Sequence, residues 1–594
     1  MVERAGSDPT TRGVRVGNFS GFYGDRLDSI DELLTAGVDY LTGDYLAELT
    51  MLILRKNQKA GRPGYAAGFL GQLRPVLARI AASKTKVVCN AGGLDPLGCA
   101  EAVRELCREQ GLSLNVTAIS GDDVLPQLSA LQPELLRNLD TGEALVVAPE
   151  RVLTTNAYLG AWPIVEALER GADIVICPRV TDASLVIGPA AFHFGWKATD
   201  FDRLAGALWA GHAIECGGQV TGGNYSFFSE HEPLGIPPMP IAEIFDDGSA
   251  VLTKSVADQG CLTVDTVKAQ LLYEVGGPLY HNPDVVGDLR TVQVSDAGDG
   301  AVRISRAVGY APTSTAKLSI CYDSGYRNSF TIGLTGSHIP EKIAWLRHQV
   351  DQVLTGADRF DGYRWTVIGP ADSGGSLAEA TAWVVITARS PDADAVGRRA
   401  FSGAITQLGI SSIPGCYFVG SPSSEKSTAV QWPCLIEKSR VVARVHPQDA
   451  EPFDVAWPEL AYELTVEDPP DDPPPAFEDE LVQVELGRYF GTRSGDKAGL
   501  ANVGVWARDP ESYAWIRSYL TPSRFKQLVA EAAALPVQRY ELPGILGLNF
   551  VVNGFLEDGT ASSIAIDTQA KGLGEYLGSR VIELPAHLAS RGDI

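Results

Sequence analysis

The chain has 594 residues, 45% hydrophobic and 21% charged, with 62 glycines and 36 prolines. That is an ordinary globular composition; it excludes general disorder and predicts more than one domain. Its 49 Lys and Arg against 73 Asp and Glu give a formal net charge of −24, a field that repels phosphate backbones and anionic lipid, so neither nucleic acid nor membrane is an expected partner.

The start, Met1–Gly13, has no apolar stretch of the signal-peptide kind, and no run approaches the ~18 apolar residues of a membrane helix. Nine scattered cysteines without a C-x-x-C pair read as reduced thiols. The expectation is a cytoplasmic protein with a flexible segment 1–13. Over the first 300 residues one grammar repeats: a helical stretch, a short apolar run, then a polar or Gly-rich turn that opens the next helix. Val14–Val16 leads into Asn18–Asp25, Val38–Leu41 into Gly43–Glu48, Val87–Cys89 into Asn90–Gly93, Val116–Ile119 into Ser120–Asp123, and Ile174–Cys177 into Arg179–Ser184. This alternation predicts parallel βαβ units, whose ligands sit beyond the carboxyl ends of the strands.

Each turn carries candidate chemistry. Asn18 and Tyr23 stand in the first as substrate-binding candidates. Asp44 and Glu48, four apart at the start of a predicted helix Tyr45–Lys56, could work as acid and base, or serve as an N-cap and a solvated residue. Asn90, Gly92 and Gly93 could offer bare backbone N–H groups to an anion before a helix beginning near Pro96, or form only a tight strand-to-helix turn. Arg179, Asp182 and Ser184 form the strongest local group: an arginine able to grip a carboxylate or phosphate, an acid to orient it, and a hydroxyl, or else a helix-capping Asp182 salt-bridged to Arg179. A predicted helix Phe201–Cys216 ends in His212, Glu215 and Cys216, read either as a nucleophile and base or as a buried structural pair. The following Gly217–Asn224 run, with Gln219 and Gly222, is glycine-rich enough for backbone to approach a ligand or another segment closely.

From about Asp247 to Tyr326 alternating residues predict an antiparallel insertion, placed around 247–330. Glu341–Leu354 and Ala395–Ile405 read as helices and Ala382–Ala388 as a buried strand. Glu467–Pro475 (EDPPDDPPP) marks a Pro/acid linker, set at 467–480. Beyond it, strands at Leu481–Leu486, Asn502–Ala507, Asn549–Val552 and Val581–Leu584 and a helix from Pro510 to about Ala534 make an α+β module, 481–594. Its loop Arg493–Asn502 brings Arg493, Asp496, Lys497 and Asn502 to one polar ligand or pairs them with one another. The fold class is therefore α/β: a large domain 14–466 with a mainly parallel sheet and helices on both faces, then the smaller module. There is no G-x-G-x-x-G, P-loop, H-E-x-x-H, G-x-S-x-G or EF-hand loop, so no standard NAD, ATP, zinc-protease, α/β-hydrolase or calcium site is expected, and no metal ligand is assigned.

In this order, RVGNFSGFYGDR, GVDYLTGDYLAELTM, VVCNAGGLDP, TTNAYLGAWPIVEALERGADIVICPRVTDASLVIGP, AGHAIECGGQVTGGNYS, PIAEIFDDGSAVLTK, TVKAQLLYEVGGPLYHNPDVV and APTSTAK resemble the acyclic terpene utilisation AtuA family. TRSGDKAGLANVGVWA and ILGLNFVVNG resemble its ferredoxin-fold partner domain, and the likeness runs from Val14 to Pro585. The resemblance implies a setting of citronellol and geraniol breakdown beside acyl-CoA carboxylases, dehydrogenases and hydratases. The substrate it implies is a small acyl-CoA thioester or branched carboxylate, with CoA entering only as part of the substrate. The expected function is a catabolic lyase, hydratase or hydrolase, forming a homo-oligomer, in which Arg179 binds the anionic group, Asp44 or Asp182 is general acid/base, Cys216 is a further catalytic candidate, and Gly92, Gly93, Gly217 and Gly222 give backbone access. The alternative is a non-catalytic binding or assembly subunit of an acyl-CoA carboxylase-type pathway.

Overall fold

The computed structural model describes residues 12–131, 136–231, 235–354, 357–369, 375–459 and 480–591. All but the last residue of the predicted 467–480 linker, and all but the last two of the predicted 1–13 segment, lie outside them.

Strands β1 (Val14–Ser20), β2 (Tyr40–Gly43), β3 (Lys86–Cys89), β4 (Val116–Ser120) and β6 (Ile174–Ile176) pair in parallel in the order β1-β2-β3-β6-β4, while β5 (Val152–Ala157) joins another sheet. Their side chains alternate between two cores. Val87, Cys89, Ile174 and Ile176 pack with Leu33, Leu77 and Val103, whereas Val88 and Val175 pack with Ile164, Val186 and Leu208. Helices cover both faces, which is why these strands are continuous apolar runs.

Antiparallel strands extend both edges. Pro240–Ile244, Ala250–Lys254, Ala301–Ser305 and Gln293–Gly298 continue beyond β1, and Ala443–His446 and Phe453–Val455 beyond β4, giving eleven strands. The sheet expected to be mainly parallel is thus mixed. Much of the expected insertion widens this sheet instead of standing apart, because residues 250–305 present an apolar face continuous with Ile244 and Leu208. A second, antiparallel sheet is built on the 21-residue strand Thr315–Thr335, which pairs with β5, Thr381–Ser390, Cys416–Val419 and Lys426–Glu437.

Several local expectations shift. The helix placed at Tyr45–Lys56 is Glu48–Lys59, so Asp44 precedes it and the Asp44/Glu48 helical face does not form. Asn18 lies inside β1 instead of in the turn. Ala395–Ile405 breaks into Ala393–Val396 and Ser402–Thr406. Pro510–Ala534 breaks into Pro510–Tyr519 and Pro522–Leu528, since Pro522 lacks the N–H a continuing helix needs and instead opens a new one capped by Thr521.

The C-terminal unit is a four-stranded antiparallel sheet of Gly491–Lys497, Leu500–Trp506, Gly547–Val552 and Val537–Leu542. The segment expected as a loop at Arg493–Asn502 is a hairpin whose turn holds Ala498 at φ +55°. This sheet is pinned to the large domain at Leu272–Val275. Asn502 Nδ2 donates to the Leu272 carbonyl at 2.8 Å, the Glu274 N–H donates to Asn502 Oδ1 at 2.8 Å, and Asn549 Nδ2 donates to the Val275 carbonyl at 2.7 Å. A Cβ at Gly504 would stand 2.6 Å from Leu272 Cβ, so glycine is what permits the contact. Asn502→Leu leaves the half-buried Glu274 N–H and the buried Leu272 carbonyl without Asn502 and is expected to cost about 1–3 kcal/mol; calorimetry should then show the two units unfolding in separate steps, and a single unshifted transition would refute the clamp.

Candidate active site

The carboxyl ends of β1, β2 and β6 and the C-terminal hairpin enclose a cleft of about 1160 Å³. That is just above the usual range for a small-molecule site, and its place beyond the strand ends is where an open α/β sheet exposes backbone and turn side chains.

Arg179 occupies the turn after β6 and is 4% exposed. Its Nη1 donates to Asp182 Oδ1 at 2.6 Å and to the Val180 carbonyl at 3.2 Å, its N–H donates to Asp122 Oδ2 at 3.2 Å, and its guanidinium lies 4.1 Å over the Tyr158 ring. Burial opposes its charge, but Asp182, Tyr158, Glu48 and Asp44 outweigh burial and keep it firmly protonated. Tyr158 donates its hydroxyl to Glu48 Oε1 at 2.5 Å, and Lys317 Nζ donates to the same oxygen at 3.2 Å. Burial works against ionisation of Glu48, yet Lys317, Arg179 and the Tyr158 hydroxyl hold its carboxyl below the usual range.

Two other carboxyls go the opposite way. Asp44 accepts from Asn90 Nδ2 at 2.6 Å and from the Leu46 N–H at 3.2 Å, but burial, then the charge of Asp182, pushes it well above the usual carboxylate range. Burial, then Asp182 and Glu274, does the same to Glu215. His212 Nδ1 and Glu215 Oε1 share a hydrogen bond of 2.9 Å, burial and Lys497 push His212 down to about 4, and the buried Glu215 Oε2 has no protein partner. The cleft therefore holds two carboxyls biased to the neutral acid beside an ionised Glu48 and the cations Arg179 and Lys317.

The C-terminal hairpin supplies the facing wall. Lys497 Nζ donates to the Glu274 carbonyl at 2.8 Å, Lys571 Nζ hydrogen-bonds Tyr273 and lies 3.6 Å from Glu274 and 3.7 Å from Asp496, and Thr560 donates to Asp496 Oδ2 at 2.8 Å. Burial raises Glu274 and Asp496 despite Lys571.

Of the residues singled out from sequence, Asp44, Arg179, Asp182, Glu215, Cys216, Gln219, Asp496 and Lys497 line this cleft, as does Glu48. The others sit behind it. Asn18 Nδ2 donates to the carbonyls of Ile214 and Glu215, both at 2.8 Å, and so sets the end of the helix Phe201–Ile214. Asn90 holds Asp44. Ser184 donates to Asp284 at 2.9 Å, on the far side of its turn. Arg493 spans Gln219 and the Tyr273 ring, and Asn502 pins the domains. Tyr23 packs against the core of the first helices, and Gly217 (φ +57°) and Gly222 (φ +117°) shape the turns around Gln219. Gly92 and Gly93 do not present free amides: their N–H groups donate to the Cys177 and Asn90 carbonyls at 3.1 and 3.2 Å. Nor does a Cys–His nucleophile form, because His212 bonds Glu215, and burial with Glu215 and Glu274 pushes the Cys216 thiol well up. Iodoacetamide should accordingly alkylate Cys216 far more slowly at neutral pH than a free thiol, and reaction at the free-thiol rate would refute this environment.

Sequence reasoning missed Tyr158, Tyr273, Glu274, Tyr280, Lys317 and Lys571, all of which line the cleft. The signal for three of the six, Tyr273, Glu274 and Tyr280, was the polar, Gly-rich Tyr273–Tyr280 stretch close behind the helix Val264–Leu271. Among the described residues no group of three or more His, Cys, Asp or Glu is placed to hold a metal ion, and no helix is long and apolar enough to cross a membrane.

Comparison with known proteins gives two matches. The model of the acyclic terpene utilisation family protein AtuA matches residues 14–447, and that of the AtuA ferredoxin-like domain matches residues 484–583. No curated protein matches the chain.

Proposed function

This chain belongs to the acyclic terpene utilisation AtuA family, and from that premise we propose an enzyme of acyclic terpenoid or branched-chain acid breakdown acting on a small acyl-CoA thioester or carboxylate. The chemistry is of lyase or hydratase type. The observation that carries this reading is the pair of proton-biased carboxyls, Asp44 and Glu215, in one cleft with Arg179 and Lys317. Adding or removing water or a carbon fragment next to a carbonyl needs a proton donor and acceptor on the substrate and a fixed cation for the oxygen that gathers negative charge. Arg179 and Lys317 supply the positive charge, Asp182 orients Arg179, and one of the neutral acids Asp44 and Glu215 gives a proton to the substrate while the carboxylate it becomes takes one back.

The test incubates the full chain with a panel of acyl-CoA thioesters and their free acids, with and without divalent metal, following substrate loss and thermal stabilisation. Turnover of one class supports the enzyme. Stabilisation without turnover over the whole panel transfers the weight to a non-catalytic binding subunit, and neither response refutes this substrate class.

A further inference from the structure

Three lysines line the cleft, and they differ in what receives their protons. Lys317 reaches Glu48 at 3.2 Å, and Lys571 lies within 3.7 Å of both Glu274 and Asp496. Lys497 donates instead to a neutral acceptor, the Glu274 carbonyl at 2.8 Å, and its Nζ lies 5.1 Å over the Tyr280 ring. The hairpin fixes it there: the next residue, Ala498, turns the chain at φ +55°, and Glu274, whose carbonyl it meets, is itself held at φ +57° by Asn502. Burial disfavours the ammonium form of Lys497, and the second cation Lys317 disfavours it further. Glu274, Glu48 and Glu215 pull the other way without reversing the result, so the amine lies below the ordinary lysine range. A lysine desolvated beside another cation is a nucleophilic amine.

We infer that Lys497 is a Schiff-base nucleophile for an aldehyde or ketone carbonyl held in the cleft, so that the substrate class is an oxo-acyl compound or oxo-carboxylate. The inference rests on the cleft being the reaction site. The Nζ lone pair forms a C–N bond to the carbonyl carbon while the C=O π pair moves to oxygen. One proton passes from nitrogen to that oxygen and a second comes from the neutral carboxyl of Glu215, which lines the same cleft and is close enough for its charge to act on Lys497; water leaves, and an iminium and a carboxylate remain. The iminium then takes up the electron pair released when the neighbouring C–C bond breaks, its fragment leaving as carbon dioxide or a carbonyl compound, or when the α-carbon gives its proton to that carboxylate; the resulting enamine takes a proton at carbon from the carboxyl or from water, which restores the iminium. Addition of water finally restores the amine and the carbonyl product. Arg179 and Lys317 remain available for the substrate's carboxylate or thioester oxygen.

The full chain is incubated separately with acetoacetate and with 3-methylbutanal in the presence of sodium cyanoborohydride, and adducts are located by intact mass and peptide mapping. The expected result is one reduced adduct, on Lys497, absent from Lys497→Arg, with Lys317 and Lys571 unmodified. No adduct, or adducts spread over surface lysines and unchanged in Lys497→Arg, overturns the inference. Should Lys497→Arg fold poorly, competitive acetylation of the unaltered chain across pH decides the matter. Lys497 is expected to titrate below the ~10.4 of a free lysine, and titration at or above that value overturns the inference. A trapped adduct without thioester turnover keeps the lysine and removes the thioester reading, whereas thioester turnover with no adduct removes the lysine alone.

Discussion

Arg179→Met is expected to cost about 3–5 kcal/mol of unfolding free energy, the usual consequence of removing one member of a buried ion pair, and to abolish turnover. Arg179 is 4% exposed, and Asp182, Glu48 and Asp44 all face it. Methionine fills the volume but leaves Asp182 without its 2.6 Å partner and removes the cation over Tyr158. The loss should be non-additive. Adding Asp182→Asn removes the carboxylate that the methionine would strand, so the double variant should recover part of the deficit, with a coupling of about 0.5–3 kcal/mol. Arg179→Lys keeps the charge but loses the planar group that stacks on Tyr158 while reaching Asp182, and should fall between Arg179→Met and the unaltered chain. Denaturant unfolding of these four proteins, together with Asp182→Asn alone to close the cycle, checks this; an Arg179→Met variant within about 0.5 kcal/mol of the unaltered chain, the range of an ordinary surface change, would remove Arg179 as the charge anchor.

Glu215→Gln and Asp44→Asn are expected to separate stability from activity. Turnover should fall by about 10²- to 10⁴-fold, the contribution of a positioned general acid or base, while stability at pH 8 holds or rises. The sign follows from proton binding. Both carboxyls are raised by burial, so the folded chain binds their protons more tightly than the unfolded chain does. Their contribution is fully present below about pH 4, the unfolded value, and is lost as pH climbs through the folded one. Asp122, pushed up to about 7 by burial, loses its share between about pH 4 and 7. Glu48 acts in the opposite sense: lowered in the fold, it favours the folded state above its unfolded pKa and withdraws that support as pH falls. The melting temperature should therefore decline from mildly acidic pH towards pH 8, and less steeply in Glu215→Gln and Asp44→Asn, whose neutral amides stand in for the protonated acids. Slopes identical to the unaltered chain would show that these carboxyls titrate normally.

Much of the scaffold was legible in the sequence because the forces that build it are local. Val87–Cys89 is a run of apolar residues with glycine-containing turn chemistry behind it, and it is a strand buried on both faces. Asp95-Pro96 opens a helix because Asp95 caps it and proline suits its first position. The turn after β6 delivers Arg179 and Asp182 to the cleft, since three residues of spacing let the pair form wherever the turn lies. The family resemblance likewise needed only the order of motifs.

What the neighbours of each group would be was decided by tertiary structure. Gly92 and Gly93 look like an anion cradle until the Cys177 carbonyl on the adjacent strand takes up the Gly92 N–H. Asp44 and Glu48, four residues apart, have opposite proton affinities because Lys317, 269 residues from Glu48, reaches only the second. Lys497 meets the Glu274 carbonyl across 223 residues of chain. The sequence by itself determined the five parallel strands, the polar turns that follow them and the family, since propensity and hydrophobic period act within a few residues. Which turns converge, which amides are already used and which carboxyls keep their protons came only with the packed structure. Burial and Coulomb interaction depend on distance in space, which packing within the large domain sets for Gly92, Asp44 and Glu48, and the seating of the C-terminal unit on Leu272–Val275 sets for Lys497.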